Sequence, residues 1–156
     1  MLLNTHMAFS TAVGFLALLY LLAVPPTYAL ATAAILSFIN PLIDFYGHER
    51  GRRSPRTHEP LHATVLGAVT GGFLGLVFAN ALHVAPWAAA VVGAIEALSH
   101  LLLDAFTEHG IYVRRNGRYE RFAFAHLRYN DPMANGLTTM FSLLAIIAGF
   151  LHSPHP

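Results

Sequence analysis

The chain has 156 residues, enough for one domain, and is 55% hydrophobic. Only 11% of its residues are charged, against roughly 25% in soluble domains. It has no Cys, which excludes a thiolate metal site, a disulfide framework and a Cys nucleophile. A formal net charge of +1 gives no electrostatic footprint for nucleic acid, and none is expected as a partner.

Five apolar runs follow one another. Residues 7–24 are uncharged and end at Pro25-Pro26. Ala29-Leu30-Ala31 resembles a signal cleavage site, but no basic segment precedes the run and it exceeds a signal core, so a membrane helix is expected. Residues 27–46 form the second run, interrupted by Asn40 and Asp44. Residues 61–84 form the third, with Gly67, Gly71 and Gly75 at four-residue spacing, which lets two membrane helices approach closely. Residues 86–106 and 134–151 complete the set, each near the ~20 residues that cross a bilayer core. The expected fold is all-α, a polytopic bundle of about five transmembrane helices forming one domain over residues 1–156.

Two polar loops, 47–60 and 107–132, hold all nine basic residues, every one an Arg. Five crossings put both loops and the N-terminus on one side. The positive-inside rule makes that side cytoplasmic and the C-terminus external, so the chain is expected in the cell membrane with the lipid bilayer as its partner. Within 107–132, Ile111-Tyr112-Val113 and the segment 119–124 flank Asn116-Gly117, which reads equally as a β-hairpin or as an ordered loop.

The chemistry-bearing residues gather at the same end. His100 and Asp104 lie four apart and share a helix face, with Glu96 one turn further back. Ionisable groups in an apolar segment need a reason, and an HxxxD pair offers a metal ion. Asn40, Asp44 and His48 form an i, i+4, i+8 row on the second helix. His58 and His62 lie four apart where the third helix begins, His6 precedes the first helix, and His109 and His126 lie in the second loop. Imidazole and carboxylate donors suit Zn²⁺, and also Mn²⁺ or Fe²⁺. His6, Asp44, His48, His58, His100 and Asp104 are the expected ligands, with His62, His109 and His126 as further candidates. Glu96 is expected to hold His100, to carry a proton or to sit as a packed, protonated acid, and Asp44 to serve as base or bridge. Arg52, Arg53 and Arg56 are explained as topology determinants, or as a grip on phosphate.

The blocks Asn4-Thr5-His6, Ile43-Asp44, Pro55-Arg56-Thr57-His58 and Ser99-His100-Leu101-Leu102-Leu103-Asp104 resemble the signature blocks of the YdjM-type membrane-bound metal-dependent hydrolases, in an archaeal branch. Their order is also similar to that of zinc-dependent phospholipases C and related nucleases. That resemblance implies phosphoester hydrolysis at one to three zinc ions. The depth of the site points to a phospholipid or polyprenyl phosphate. The alternative is a non-catalytic membrane protein with a structural or transport-related divalent site. The oligomeric state is not legible.

Overall fold

A computed structural model of the chain describes residues 1–49 and 52–153, with side chains for all of these except Glu49 and Arg52. The chain is mostly helical. Among the described residues five helices are long and apolar enough to cross a membrane, at Leu3–Leu21, Pro26–Gly47, Pro60–Val77, Pro86–Ala105 and Pro132–Leu151.

Proline starts most of these elements. A Pro opens α2 (Pro26–Leu36), α4 (Pro55–His58), α5 (Pro60–Val77), α7 (Pro86–Ala105) and α8 (Pro132–Leu151). At the first helical position its fixed φ suits the helix and its missing N–H is no loss. Two starts are also capped by a carboxylate: Glu59 accepts from His62 N–H, and Asp131 from Ala134 N–H.

The expected first run begins earlier than composition suggested. α1 spans Leu3–Leu16 and continues through a π-helical turn, Ala17–Leu21. His6 therefore lies inside the helix instead of before it. The second run is broken into α2 and α3 (Ile39–Gly47). The reason is Pro41, whose ring opposes a helical hydrogen bond to the carbonyl of Ser37. That carbonyl accepts instead from the backbone and side chain of Asn40. The third run stops at Val77, and α6 (Ala79–Leu82) is a separate turn.

α7 is the central element, with α1, α2, α3 and α5 packed against it. The glycine row of α5 serves the close approach expected of it. A Cβ on Gly67 would overlap the Gly93 carbonyl, and one on Gly71 the Ala89 carbonyl. The core between the helices is built from Phe15, Leu18, Leu36, Ile39, Ile43 and Val92. The outer faces of α5 and α8 expose Leu61, Val69, Phe73, Phe141, Leu144 and Leu151.

The polar loops carry what strand structure there is. β1 (His48–Glu49) pairs with β2 (Arg52–Arg53). β3 (Ile111–Arg115) pairs with β4 (Arg118–Phe122), with Val113 opposite Glu120. Asn116 and Gly117 both have positive φ, at 48° and 78°, as a two-residue turn of this hand requires. The hairpin reading of residues 107–132 is the one observed.

Candidate metal centre

Four segments bring donors to one end of the bundle. α7 supplies His100 and Asp104 one turn apart. α1 supplies His6, α3 supplies Asp44, and the short α4 supplies His58. His6, His58, His100 and Asp104 are buried, while the Asp44 side chain stays 27% exposed. His6 stacks on His100 with ring centroids 4.0 Å apart. Its Nε2 lies 3.1 Å from Asp104 Oδ1.

The tautomers of two imidazoles are set by their neighbours. Asn40 directs both amide hydrogens to acceptors, the Ser10 hydroxyl at 2.6 Å and the Ser37 carbonyl at 2.7 Å. Its Oδ1 therefore faces His100 Nδ1, at 3.0 Å, so that nitrogen carries the hydrogen. The Thr57 hydroxyl donates to the Ile43 carbonyl at 2.7 Å, which leaves its oxygen to accept from His58 Nδ1 at 3.3 Å. In the neutral rings the Nε2 atoms of His58 and His100 are thus bare lone pairs. Both are buried, and neither has a hydrogen-bond partner among the described residues.

These lone pairs point at carboxylates. His100 Nε2 lies 3.3 Å from Asp104 Oδ2 and 3.6 Å from Asp44 Oδ1. His58 Nε2 lies 3.6 Å from each of the same two oxygens. Such separations exceed a normal N–H···O bond of about 2.7–3.2 Å. They match the donor spacing around a tetrahedral ion, where bonds of about 2.0–2.1 Å hold neighbouring donors about 3.3–3.4 Å apart. Two donor triads, His6/His100/Asp104 and Asp44/His48/His58, have the types and spacing to hold a metal ion. Burial holds the His58 imidazole below its ordinary pKa against the pull of Asp44, which favours the neutral, ligating form.

Other residues fix this arrangement. Arg53 pairs through Nη2 with Asp104 Oδ1 and donates through Nη1 to Thr107 Oγ1 and the Gly110 carbonyl. The Met1 amine lies 3.6 Å from the same Asp104 oxygen. Gly47 leaves room for α4, since a Cβ there would overlap Thr57 Oγ1 and the His58 ring.

Of the remaining expected residues only His48, a member of the second triad, borders the cluster, and the others stand elsewhere. His48 is at the exposed rim, its Nε2 3.9 Å from Asp44 Oδ1. His62 turns away to the Pro55 carbonyl and the Tyr119 ring. His109 and His126 line a cavity under the β3–β4 hairpin, outside the cluster. Arg53 clamps a ligand carboxylate, Arg56 is exposed on α4, and the Arg52 side chain lies outside the described residues. Glu96 is buried against Gly14, with no partner for either carboxyl oxygen among the described residues. The Nδ1 of His100, which Glu96 was expected to hold, is held by Asn40. The roles of Arg53, Asn40 and Thr57 escaped the sequence reading. The signals available were Pro41, which frees the Ser37 carbonyl, and the Thr57-His58 adjacency.

No curated protein and no solved structure matches the chain. The family assignment corrects the resemblance to YdjM-type hydrolases. That likeness rested on short His and Asp blocks, and such blocks arise wherever helices assemble donors. The match covers residues 1–103, every donor from His6 to His100, and ends just before Asp104. The chain belongs to the family described as Protein of unknown function (DUF1286).

Proposed function

We propose that this protein is a membrane-embedded, metal-dependent hydrolase of a phosphoester, with a lipid phosphate or phosphodiester as substrate. The observation that carries the reading is the pair of bare Nε2 lone pairs, on His58 and His100, buried against two carboxylates. A lone pair facing a carboxylate at 3.3–3.6 Å is repulsive, and a cation between the two would turn the contact attractive. The donors are nitrogen and oxygen only, which suits Zn²⁺, with Mn²⁺ and Fe²⁺ as alternatives. The two triads leave room for one or two ions.

A divalent ion held there supplies Lewis acidity and lowers the pKa of water in an open position toward ~7. The protein's own groups do the rest. Asp44 and His48 are the exposed donors, so water and substrate enter on their side. In the reaction a water oxygen attacks phosphorus and the bond from phosphorus to the alcohol oxygen breaks. Asp44 takes a water proton, which ends on the leaving oxygen. Phe45 and Tyr46, beside Asp44, are exposed apolar surface at the same end of the bundle, which opens the site sideways to lipid. The nine Arg on the loops of this end support the cytoplasmic face of the cell membrane as its side.

A structural metal site is the second reading. The triad of His6, His100 and Asp104 is closed to solvent and would pin α1 to α7. Metal analysis of purified protein and a phosphoester panel, run on wild type, His100→Ala and Asp104→Ala, separate the two. The hydrolase reading expects bound metal and turnover in wild type, both lost in the variants. Turnover equal in all three refutes it, and tightly held metal with no turnover selects the structural reading.

A further inference from the structure

The two carboxylate oxygens of Asp104 have different surroundings. Oδ1 pairs with Arg53 Nη2 and lies 3.1 Å from His6 Nε2 and 3.6 Å from the Met1 amine. Oδ2 is buried and has no hydrogen-bond partner among the described residues. It lies 3.3 Å from His100 Nε2 and 3.6 Å from His58 Nε2. One oxygen is thus engaged by a cationic donor, and the other faces two ligand-type nitrogens.

Arg53 is held from several directions. Its side chain is 9% exposed. Nη1 donates to Thr107 Oγ1 at 3.1 Å and to the Gly110 carbonyl at 3.0 Å, both just past the end of α7. Thr107 is tied to α7 in turn, its hydroxyl donating to the Asp104 carbonyl at 2.9 Å. The Arg53 backbone is fixed as well. Its carbonyl accepts from the Tyr112 hydroxyl at 3.0 Å, and the residue stands opposite His48 in the β1–β2 ladder. A guanidinium presents its donors in a rigid fork. With one branch fixed on the loop after α7, the other is directed at Asp104 Oδ1.

A carboxylate with both oxygens free can chelate an ion, whereas one with an oxygen committed to a guanidinium offers a single donor. Zn²⁺ is satisfied by four nitrogen and oxygen donors. Mn²⁺ belongs with the oxygen-preferring, octahedral ions and gains from a further carboxylate oxygen. We propose that Arg53 sets the metal preference of the cluster: by holding Asp104 Oδ1 it restricts that carboxylate to one ligating oxygen, Oδ2, and so favours Zn²⁺ over Mn²⁺. Arg53 acts through Asp104 and is a positioning residue. The inference rests on the metal reading of the cluster and is independent of hydrolysis.

The test measures Zn²⁺ and Mn²⁺ affinities of the full chain in detergent, by competition with a chelating dye, for wild type, Arg53→Met and Arg53→Lys. Arg53→Met frees Oδ1 and removes a positive charge beside the ion. Mn²⁺ affinity is expected to rise, and the preference for Zn²⁺ to narrow about tenfold or more, the range in which partners behind a ligand act. Arg53→Lys keeps the charge, but a single ammonium cannot span Asp104 and the Gly110 carbonyl as the fork does, so the preference narrows by less. This variant decides the question if Arg53→Met, which leaves a buried carboxylate short of a partner, does not fold. Co²⁺ in place of Zn²⁺ gives a second readout. The strong visible bands of a four-coordinate ion in wild type are expected to weaken in Arg53→Met as a further oxygen joins it. A Zn²⁺ preference unchanged in every variant that folds, both affinities falling by the same factor, makes Arg53 a scaffold residue and overturns the proposal while the metal centre stands. Wild type that binds neither ion removes the metal centre and the proposal with it. Phosphoester turnover is followed in parallel, and a shifted preference in protein without turnover upholds the role of Arg53 and removes the hydrolase.

Discussion

Asn40 is the residue at which the metal reading is most exposed to test. Its Oδ1 accepts from His100 Nδ1 and so aims the Nε2 lone pair into the cluster. Asn40→Leu removes the acceptor at similar volume. Loss of such an outer partner typically costs 10–100-fold in metal affinity, about 1.4–2.7 kcal/mol. The same change also removes hydrogen bonds to Ser10 and Ser37, so stability falls as well, by about 1–3 kcal/mol. Asn40→Asp separates the two effects. It loses the same donors and so carries a comparable stability cost, but it keeps an acceptor facing His100. Zinc affinity is measured by competition with a chelating dye in detergent, and folding by thermal denaturation of the same samples. Asn40→Leu is expected to bind zinc 10–100-fold more weakly, and Asn40→Asp to bind it as wild type does or more tightly. Equal losses in both variants, or no loss in Asn40→Leu, would refute the argument that Asn40 sets the ligating tautomer.

Four further substitutions probe the scaffold. Gly47→Ala drives a methyl into Thr57 and the His58 ring, so zinc affinity should fall about tenfold or more while helix content by circular dichroism holds. Gly71→Ala meets the Ala89 carbonyl across the α5–α7 contact and should cost about 1–3 kcal/mol in thermal stability. Its neighbour Gly72→Ala meets the Ala90 methyl at 3.4 Å and the Pro86 carbonyl at 4.0 Å, and should be neutral or stabilising; equal costs at both positions would refute the packing account. Glu96→Met replaces a buried carboxyl without a partner by an apolar chain, and should raise the melting temperature by the equivalent of about 1–3 kcal/mol with zinc affinity unchanged. A variant that keeps zinc but loses phosphoester turnover would instead restore Glu96 to the reaction.

The helical runs and the HxxxD pair were legible because their signals are local. An apolar run near bilayer length reads the same wherever it packs, and i, i+4 on an unbroken helix fixes a shared face. His58 and His62 show the limit of that rule. They too lie four apart, but Glu59 between them is extended, at φ −110° and ψ 135°, where α4 hands over to α5. The helix face is interrupted, and His62 leaves the cluster. Arg53 could not be assigned from sequence either. Its partner Asp104 lies 51 residues away on another helix, and loop residues carry no periodicity from which a direction can be read.

The breaks that defeated the spacing rule are also what build the site. α7 carries its two donors on one continuous helix, but continuous helices cannot by themselves bring His6, Asp44 and His58 to the same level beside it. Each of these lies near a chain interruption: His6 in the first turn of α1, Asp44 three residues after Pro41, and His58 on a four-residue helix bounded by Pro55 and Pro60. Pro41 acts at two points at once. It breaks the second span, which sets α3 and its Asp44 off from the line of α2. It also frees the Ser37 carbonyl, whose capture by the Asn40 amide turns Oδ1 toward His100. A proline inside an apolar span, flanked by Asn and followed three residues later by Asp, is therefore a signal for an oriented imidazole in this chain, and it carries more of the candidate site than the histidine count does.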